Sequence, residues 1–300
     1  MDLDLTHRRY LKNRMQKVYI ELTSKCGLSC DFCPSASRTT SSMGLELFKK
    51  INNEVKEFTN DIAYHVVGDP LLVENLQEYL DISYKAGLNV HITTAGYYLK
   101  PLHSQVLNHP CIKQINFSLN SYRGNSLPIS LDEYLQKIAA FTLEFRKLNT
   151  KSFINYRLWN KEEDNSHQSY NSEVMKIMFA KLGAELPSEE IDVKQRLRVI
   201  SKVLFNFDSL FEWPALNADF VSDTGYCHGL SSQMAILSSG EVVPCCFDYE
   251  AIINLGNVKS DSLESILKSP RSQAIVDGFK NGIISEELCR HCAYRSKFDD

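Results

Sequence analysis

Apolar residues alternate with polar ones, or run together briefly, at 18–22, 62–67, 89–94, 113–119, 153–159 and 203–207, and each stretch predicts a strand. Between these stretches the period lengthens. Leu45, Leu47, Phe48, Ile51, Val55 and Phe58 fall on one helical face, predicting an amphipathic helix over about 44–58. A helix over 73–86 is closed by Gly87, where a left-handed cap residue is expected, and 99–108 allows only a short helix before Pro110. Ser130 followed by Glu133 is a capping-box signature that opens a long helix to about 148. The polar stretch 161–171 reads as a loop, Ser172 as the cap of a helix to about 182, and 187–201 as a further helix. Six strand–helix alternations predict a parallel sheet covered by helices. A closed eight-stranded barrel needs more chain, so the sheet is expected to stay open.

After residue 207 the alternation stops. Residues 234–237 and 241–243 flank Ser239-Gly240 and predict a two-stranded hairpin, and 263–279 predicts a helix. Three hundred residues accommodate a large domain, 1–208, and a small one, 209–300. No apolar run is long enough to span a bilayer and the N-terminus is polar and basic, so a cytoplasmic location without membrane contact is expected. A net charge of -4 argues against a general nucleic-acid binder. His7, Arg8, Arg9, Lys12, Arg14 and Lys17 form a local basic stretch that reads as a solvated face.

Nine cysteines are too few for a disulfide scaffold and too clustered for chance, which points to metal. Cys26, Cys30 and Cys33 lie within eight residues directly after the first predicted strand. Three thiolates on one short loop suit a four-ligand structural zinc site poorly; they suit an iron-sulfur cube with one iron left uncovered. At the other end, Cys227, Cys245 on the predicted hairpin, and the pair Cys289/Cys292 could bring four thiolates to one point. By spacing alone that second set also fits four-thiolate zinc. Neighbours on a strand point to opposite sides, so only one of Cys245 and Cys246 should ligate easily; Cys245 fits the spacing to Gly240, and Cys246 could instead complete the shell or approach substrate. His228 and His291 read as residues outside the ligand set, and Cys111 as a buried structural thiol.

With Phe32 before the last cysteine and a strand before the first, the loop resembles that of the radical S-adenosylmethionine enzymes. The resemblance implies a partial (β/α)6 TIM-like barrel and a cluster whose open iron is chelated by S-adenosylmethionine. One electron would split the cofactor into a 5'-deoxyadenosyl radical that takes hydrogen from substrate. It places functional residues at the strand ends. Gly68-Asp69-Pro70 resembles the family's Gly-Glu-Pro stretch, which receives the cofactor's amino group; Asp69 here replaces the usual Glu. Ser118 and Asn120, two apart on the fourth strand, would meet the ribose and carboxylate, Arg157 would be the matching cation, and Phe32 would lie near the adenine.

The C-terminal cysteines resemble the SPASM and twitch domains of the same superfamily, implying a small α+β domain with one auxiliary 4Fe-4S cluster. The expected activity is a radical oxidation or rearrangement of a small molecule or peptide, with that cluster as electron relay and a low-potential donor such as flavodoxin or ferredoxin. Residues 161–171 and 205–213 are expected to border the substrate. The competing reading is a non-catalytic iron-sulfur or zinc protein that retains the fold, and Asp69 is the residue that favours it.

Overall fold

A computed structural model describes residues 15–34, 39–160, 165–187 and 196–298. His7, Arg8, Arg9, Lys12 and Arg14 lie outside the described residues. The chain divides into two compact units. The first takes the described residues up to Cys26, Cys33–Val90 and those from Phe211 on; the second takes Gly27–Phe32 and His91–Leu210.

In the first unit β1 (Lys17–Ile20) is flanked in parallel by β2 (Asp61–Tyr64) and by β8 (Gln233–Ile236), whose other neighbour is antiparallel β9 (Val242–Val243). The last two strands are the predicted hairpin, turned at Ser239-Gly240. Gly240 holds a positive φ of 98°, and a side chain there would meet Asn257. Helix α1 (Leu45–Val55) turns Phe48, Ile51 and Val55 inward, and α2 (Leu76–Lys85) adds Tyr79 and Leu80. Phe48 packs edge-on against both Tyr64 and Tyr79, while the Tyr64 hydroxyl donates to Tyr79 O at 3.0 Å.

The predicted helix over 263–279 is two helices, α7 (Leu263–Leu267) and α8 (Pro270–Lys280). Pro270 cannot donate the hydrogen bond a continuous helix needs, and Ser269 instead caps the second helix by accepting from Ser272 N. The short helix α9 (Glu287–Arg290) precedes a 3-10 turn, Ala293–Phe298.

In the second unit β4 (Ile112–Ser118), β5 (Phe153–Trp159) and β7 (Val203–Asp208) pair in parallel, with antiparallel β6 (Arg196–Ile200) beside β7. β3 (Asn89–Thr94), which begins in the first unit, is the neighbour of β4. Two short helices, α3 (His103–Val106) and α4 (Asn120–Arg123), flank β4 in sequence. The long helix α5 (Leu131–Leu148) opens with the predicted Ser130–Glu133 capping box and buries Leu135, Ile138, Phe141 and Phe145. Ile154, Tyr156 and Leu158 alternate inward on β5, as do Val203, Phe205 and Phe207 on β7; Phe117 meets Phe141 edge-on, and Tyr156 meets Phe205.

Three expectations fail here. Arg196–Ile200, placed in a helix by apolar spacing, is a strand hairpinned onto β7 through Lys202, whose φ is +63°. The region 161–171 is not all loop, because α6 (Asn165–Lys181) starts well before Ser172; Lys161–Asp164 lie outside the described residues. Asn120 does not share a strand face with Ser118, since β4 ends at Ser118 and Asn120 opens α4.

Candidate functional site

The segment leading into Cys26 is held from both sides within the first unit. Buried Glu21 accepts from Ser238 N at 3.0 Å and Ser238 Oγ at 2.7 Å, tying the end of β1 to the end of β8. Asp69 N donates to Lys25 O at 3.0 Å. Gly68 is obligatory at that contact, because a Cβ would lie 1.8 Å from Thr23 O. The Asp69 carboxylate is buried and turned inward on its own turn, accepting from Leu71 N at 3.0 Å and capping the 3-10 turn Pro70–Leu72. Cys26 and Cys33 are both half-buried.

The middle of the cysteine loop is held within the second unit. Asn125 Oδ1 accepts from Ser29 N at 2.8 Å, and Asn125 Nδ2 donates to Cys30 Sγ at 2.9 Å and to Ser121 O at 2.7 Å. Asp31 N donates to Gly124 O, and Tyr98 donates its hydroxyl proton to Gly27 O at 2.7 Å. Gly124 leaves room for the Phe32 ring, which a side chain would meet at 2.8 Å. Asn125 was not singled out from sequence, because nothing in the order of residues announces a partner 95 positions away.

A polar row crosses the second unit's strands. In register, Ser118 faces Arg157 across β4 and β5, and Arg157 faces Asn206 across β5 and β7. The Arg157 guanidinium lies over the Trp159 ring at 4.6 Å, and Trp159 Nε1 donates to Asn206 Oδ1 at 2.9 Å. Asn155 and Asn116 continue the row, joined at 3.3 Å. Asn120 joins from α4, accepting from Trp159 N at 3.2 Å. Asn206 and Asp208 went unnoticed in the sequence, although their alternation with Phe205 and Phe207 was the available signal.

The C-terminal cysteines converge. Cys227, Cys245, Cys289 and Cys292 line one cavity of the first unit, walled by Pro214, Phe247, Ile253, Leu288, Tyr294 and Phe298, with Asp248 and Arg295 as its charged residues. Burial pushes all four thiols up, and neighbouring cysteines add to the shifts of Cys227, Cys245 and Cys289. Against that trend, Cys227 receives the N–H groups of Gly229 and His228, Cys292 those of Arg295 and Tyr294, and the Arg295 charge favours both thiolates. Such N–H···S bonds are what cluster sulfurs accept.

Among the described residues no three His, Cys, Asp or Glu side chains stand together as a single ion requires. A tetrahedral zinc draws its sulfurs to ~2.3 Å; a cube spreads four thiolates over four irons. Four thiols lining one cavity, with backbone N–H groups directed at Cys227 and Cys292, fit the donor set of such a cube.

Cys246 does not line this cavity; it packs against the apolar cluster of Val66, Val67, Ala235, Leu237 and Val243. His291 Nδ1 donates to Ala218 O at 2.7 Å, and His228 packs against Tyr226 and Phe298. Cys111 is buried against His109.

Residues 227–293 match the family model of SPASM, an iron-sulfur cluster-binding domain. No curated protein sequence matches the chain. Solved structures do. Over 94% of both chains it is similar to BtrN in complex with AdoMet and 2-DOIA, at 16% identity and a TM-score of 0.58. Streptococcus suis SuiB gives a TM-score of 0.63 at 14% identity, over 99% of this chain and 77% of SuiB. AnSMEcpe with bound AdoMet gives 0.56 at 15%, over 93% of this chain and 86% of that one. The chain therefore has the mixed α/β, mostly parallel fold seen in BtrN, SuiB and anSMEcpe, two of them solved with AdoMet bound, and its residues 227–293 match the model of the SPASM iron-sulfur cluster-binding domain.

Proposed function

We propose that the protein is a radical S-adenosylmethionine enzyme in which Cys26, Cys30 and Cys33 hold a 4Fe-4S cluster at three irons. Cys227, Cys245, Cys289 and Cys292 hold a second, fully ligated one. The observation that carries the reading is the convergence of those four thiols on one walled cavity in a chain of this fold. When bound, the first cluster and S-adenosylmethionine supply a 5'-deoxyadenosyl radical that removes a hydrogen atom from substrate.

The chain's own residues do the rest. Asn125 steadies Ser29 and the Cys30 sulfur, and the backbone at Gly68 and Asp69 fixes the approach to Cys26. Phe32 offers an apolar face for the adenine. The Asp69 carboxylate accepts from Leu71 N, and the backbone of Gly68, Asp69 and Pro70 would receive the amino group of the cofactor. Ser118, Asn120 and Arg157 supply the polar contacts, Arg157 being the cation suited to a carboxylate.

The substrate is a small molecule or a peptide. Relatives of this fold have been seen with both kinds of bound partner: BtrN with 2-DOIA, SuiB with the precursor peptide SuiA, and anSMEcpe with the Cp18Cys peptide. A low-potential flavodoxin or ferredoxin would be the electron donor, and the auxiliary cluster held by the four C-terminal cysteines would serve as electron relay in an oxidation or rearrangement. Anaerobically reconstituted protein, given dithionite and S-adenosylmethionine, is expected to release 5'-deoxyadenosine, and Cys30→Ala to release none. Wild-type protein with a full iron content and no nucleoside product would leave only the non-catalytic reading.

A further inference from the structure

Arg295 is only 2% exposed and the largest of the fully buried side chains. A guanidinium cannot shed its charge, so burying it brings a permanent cation into a low-dielectric region. Its position is fixed by the main chain. Nη1 donates to Thr224 O at 2.8 Å and Nη2 to Ser222 O at 3.3 Å, and the backbone N–H of Arg295 turns back on Cys292 O at 3.4 Å. The segment that receives it is itself anchored, through Val221 N to Arg290 O at 2.8 Å and the bridge of Thr224 with Ile283. Held this way, Arg295 lines the same cavity as Cys227, Cys245, Cys289 and Cys292.

We propose that Arg295 sets the reduction potential of the auxiliary cluster, its buried charge favouring the reduced state. The inference rests on the cluster assignment made above. One-electron reduction adds negative charge to a group already anionic through its four thiolates, and a fixed cation in the same cavity stabilises the product more than the starting state. Neighbouring N–H···S bonds act in the same direction. Arg295 adds a whole charge to a cavity that it shares with one carboxylate, Asp248, and otherwise mostly apolar walls. A cluster poised higher in potential is the better acceptor of an electron from a substrate radical, which suits a relay working in the oxidative direction. Arg295 thus acts through the cluster as a positioning and tuning residue, without touching substrate.

The test is an EPR-monitored redox titration of the full-length reconstituted protein with S-adenosylmethionine present, the cofactor separating the first cluster's signal from the second. Arg295→Gln and Arg295→Met are expected to lower the auxiliary midpoint by at least a tenfold change in the reduction equilibrium, about 59 mV for one electron. Arg295→Lys should stay near the wild-type value. If the neutral variants lose the auxiliary iron while Arg295→Lys keeps it, the charge retains the cluster rather than tuning it, and the proposal is overturned. An unchanged midpoint in neutral variants that retain the cluster overturns it. So does loss of the cluster in all three variants, which would make the guanidinium a clamp on Ser222 and Thr224 alone. The cluster assignment fails separately and earlier: wild-type protein carrying zinc at these cysteines is recognised from its metal content before any variant is made.

Discussion

Asn125 uses every polar group of its side chain on the cysteine loop and the turn behind it, accepting from Ser29 and donating to Cys30 Sγ and Ser121. Hydrogen bonds to a charged sulfur are worth roughly 1.5–3 kcal/mol. Asn125→Ala is therefore expected to shift the first cluster's midpoint negative and to speed its loss to an iron chelator, with the auxiliary cluster unchanged; equal behaviour of both clusters would show that the contact does no tuning. Gly68 is a harsher case, since the obstacle is the backbone carbonyl of Thr23 rather than a side chain that can swing away. Gly68→Ala should cost the upper end of the ~1–3 kcal/mol typical of overpacking, read by chemical denaturation, and should lower iron retention at Cys26. The cysteines were legible in the sequence because thiol chemistry is spelled out by residue type and spacing. Asn125 and Arg295 were not, because an amide or a guanidinium takes its role from what tertiary structure puts beside it. Asn120 misled for a related reason: a two-residue spacing carries meaning only while the strand lasts, and β4 stops at Ser118.

At the level of elements, local signals read well where they act locally. Ser130 and Glu133 form the expected box, Ser130 Oγ accepting from Glu133 N at 3.2 Å while the Glu133 carboxylate accepts from Ser130 N at 2.7 Å. Ser130→Ala should cost about 1 kcal/mol of stability. Bonds from Ser130 backbone and hydroxyl hold the Glu133 carboxyl below its ordinary value. A depressed carboxylate pKa gives stability that is fully present above the unfolded value and fades as pH falls through the folded one. The deficit of Ser130→Ala should accordingly shrink on acidification through the carboxylate range in paired thermal melts; a deficit independent of pH would mean that the hydroxyl alone makes the cap. Signals that depend on distant partners read less well. Arg196–Ile200 carries apolar spacing compatible with either period, and its pairing with β7 decided for strand. The break at Ser269-Pro270 was available in the sequence, since proline at a first helical position with serine before it marks a new start.

Across the whole molecule, the pairing of β8 with β1 joins residues more than two hundred positions apart, and no periodicity announces it. Its consequence is that the hairpin carrying Cys245 is built onto the strand that leads to Cys26, with Glu21 and Ser238 as the shared bond at the strand ends. If these four half-buried cysteines hold the proposed cluster, the stability of this part of the fold depends on that metal. Burial raises the thiol pKa values of Cys227, Cys245, Cys289 and Cys292 in the metal-free protein, so above the ordinary cysteine value of about 8.5 the folded chain binds more protons than the unfolded one. Unfolding then releases protons, and stability falls as pH rises through that range. Iron binding requires the same thiols to be deprotonated already, which removes this source of pH dependence and releases protons at the moment of loading. Anaerobic melts at pH 7, 8, 9 and 10 should show the metal-free protein losing stability more steeply than the loaded one, with lysine and tyrosine titration common to both. Parallel slopes would mean that these thiols stay protonated in the loaded protein, and that the metal is held elsewhere.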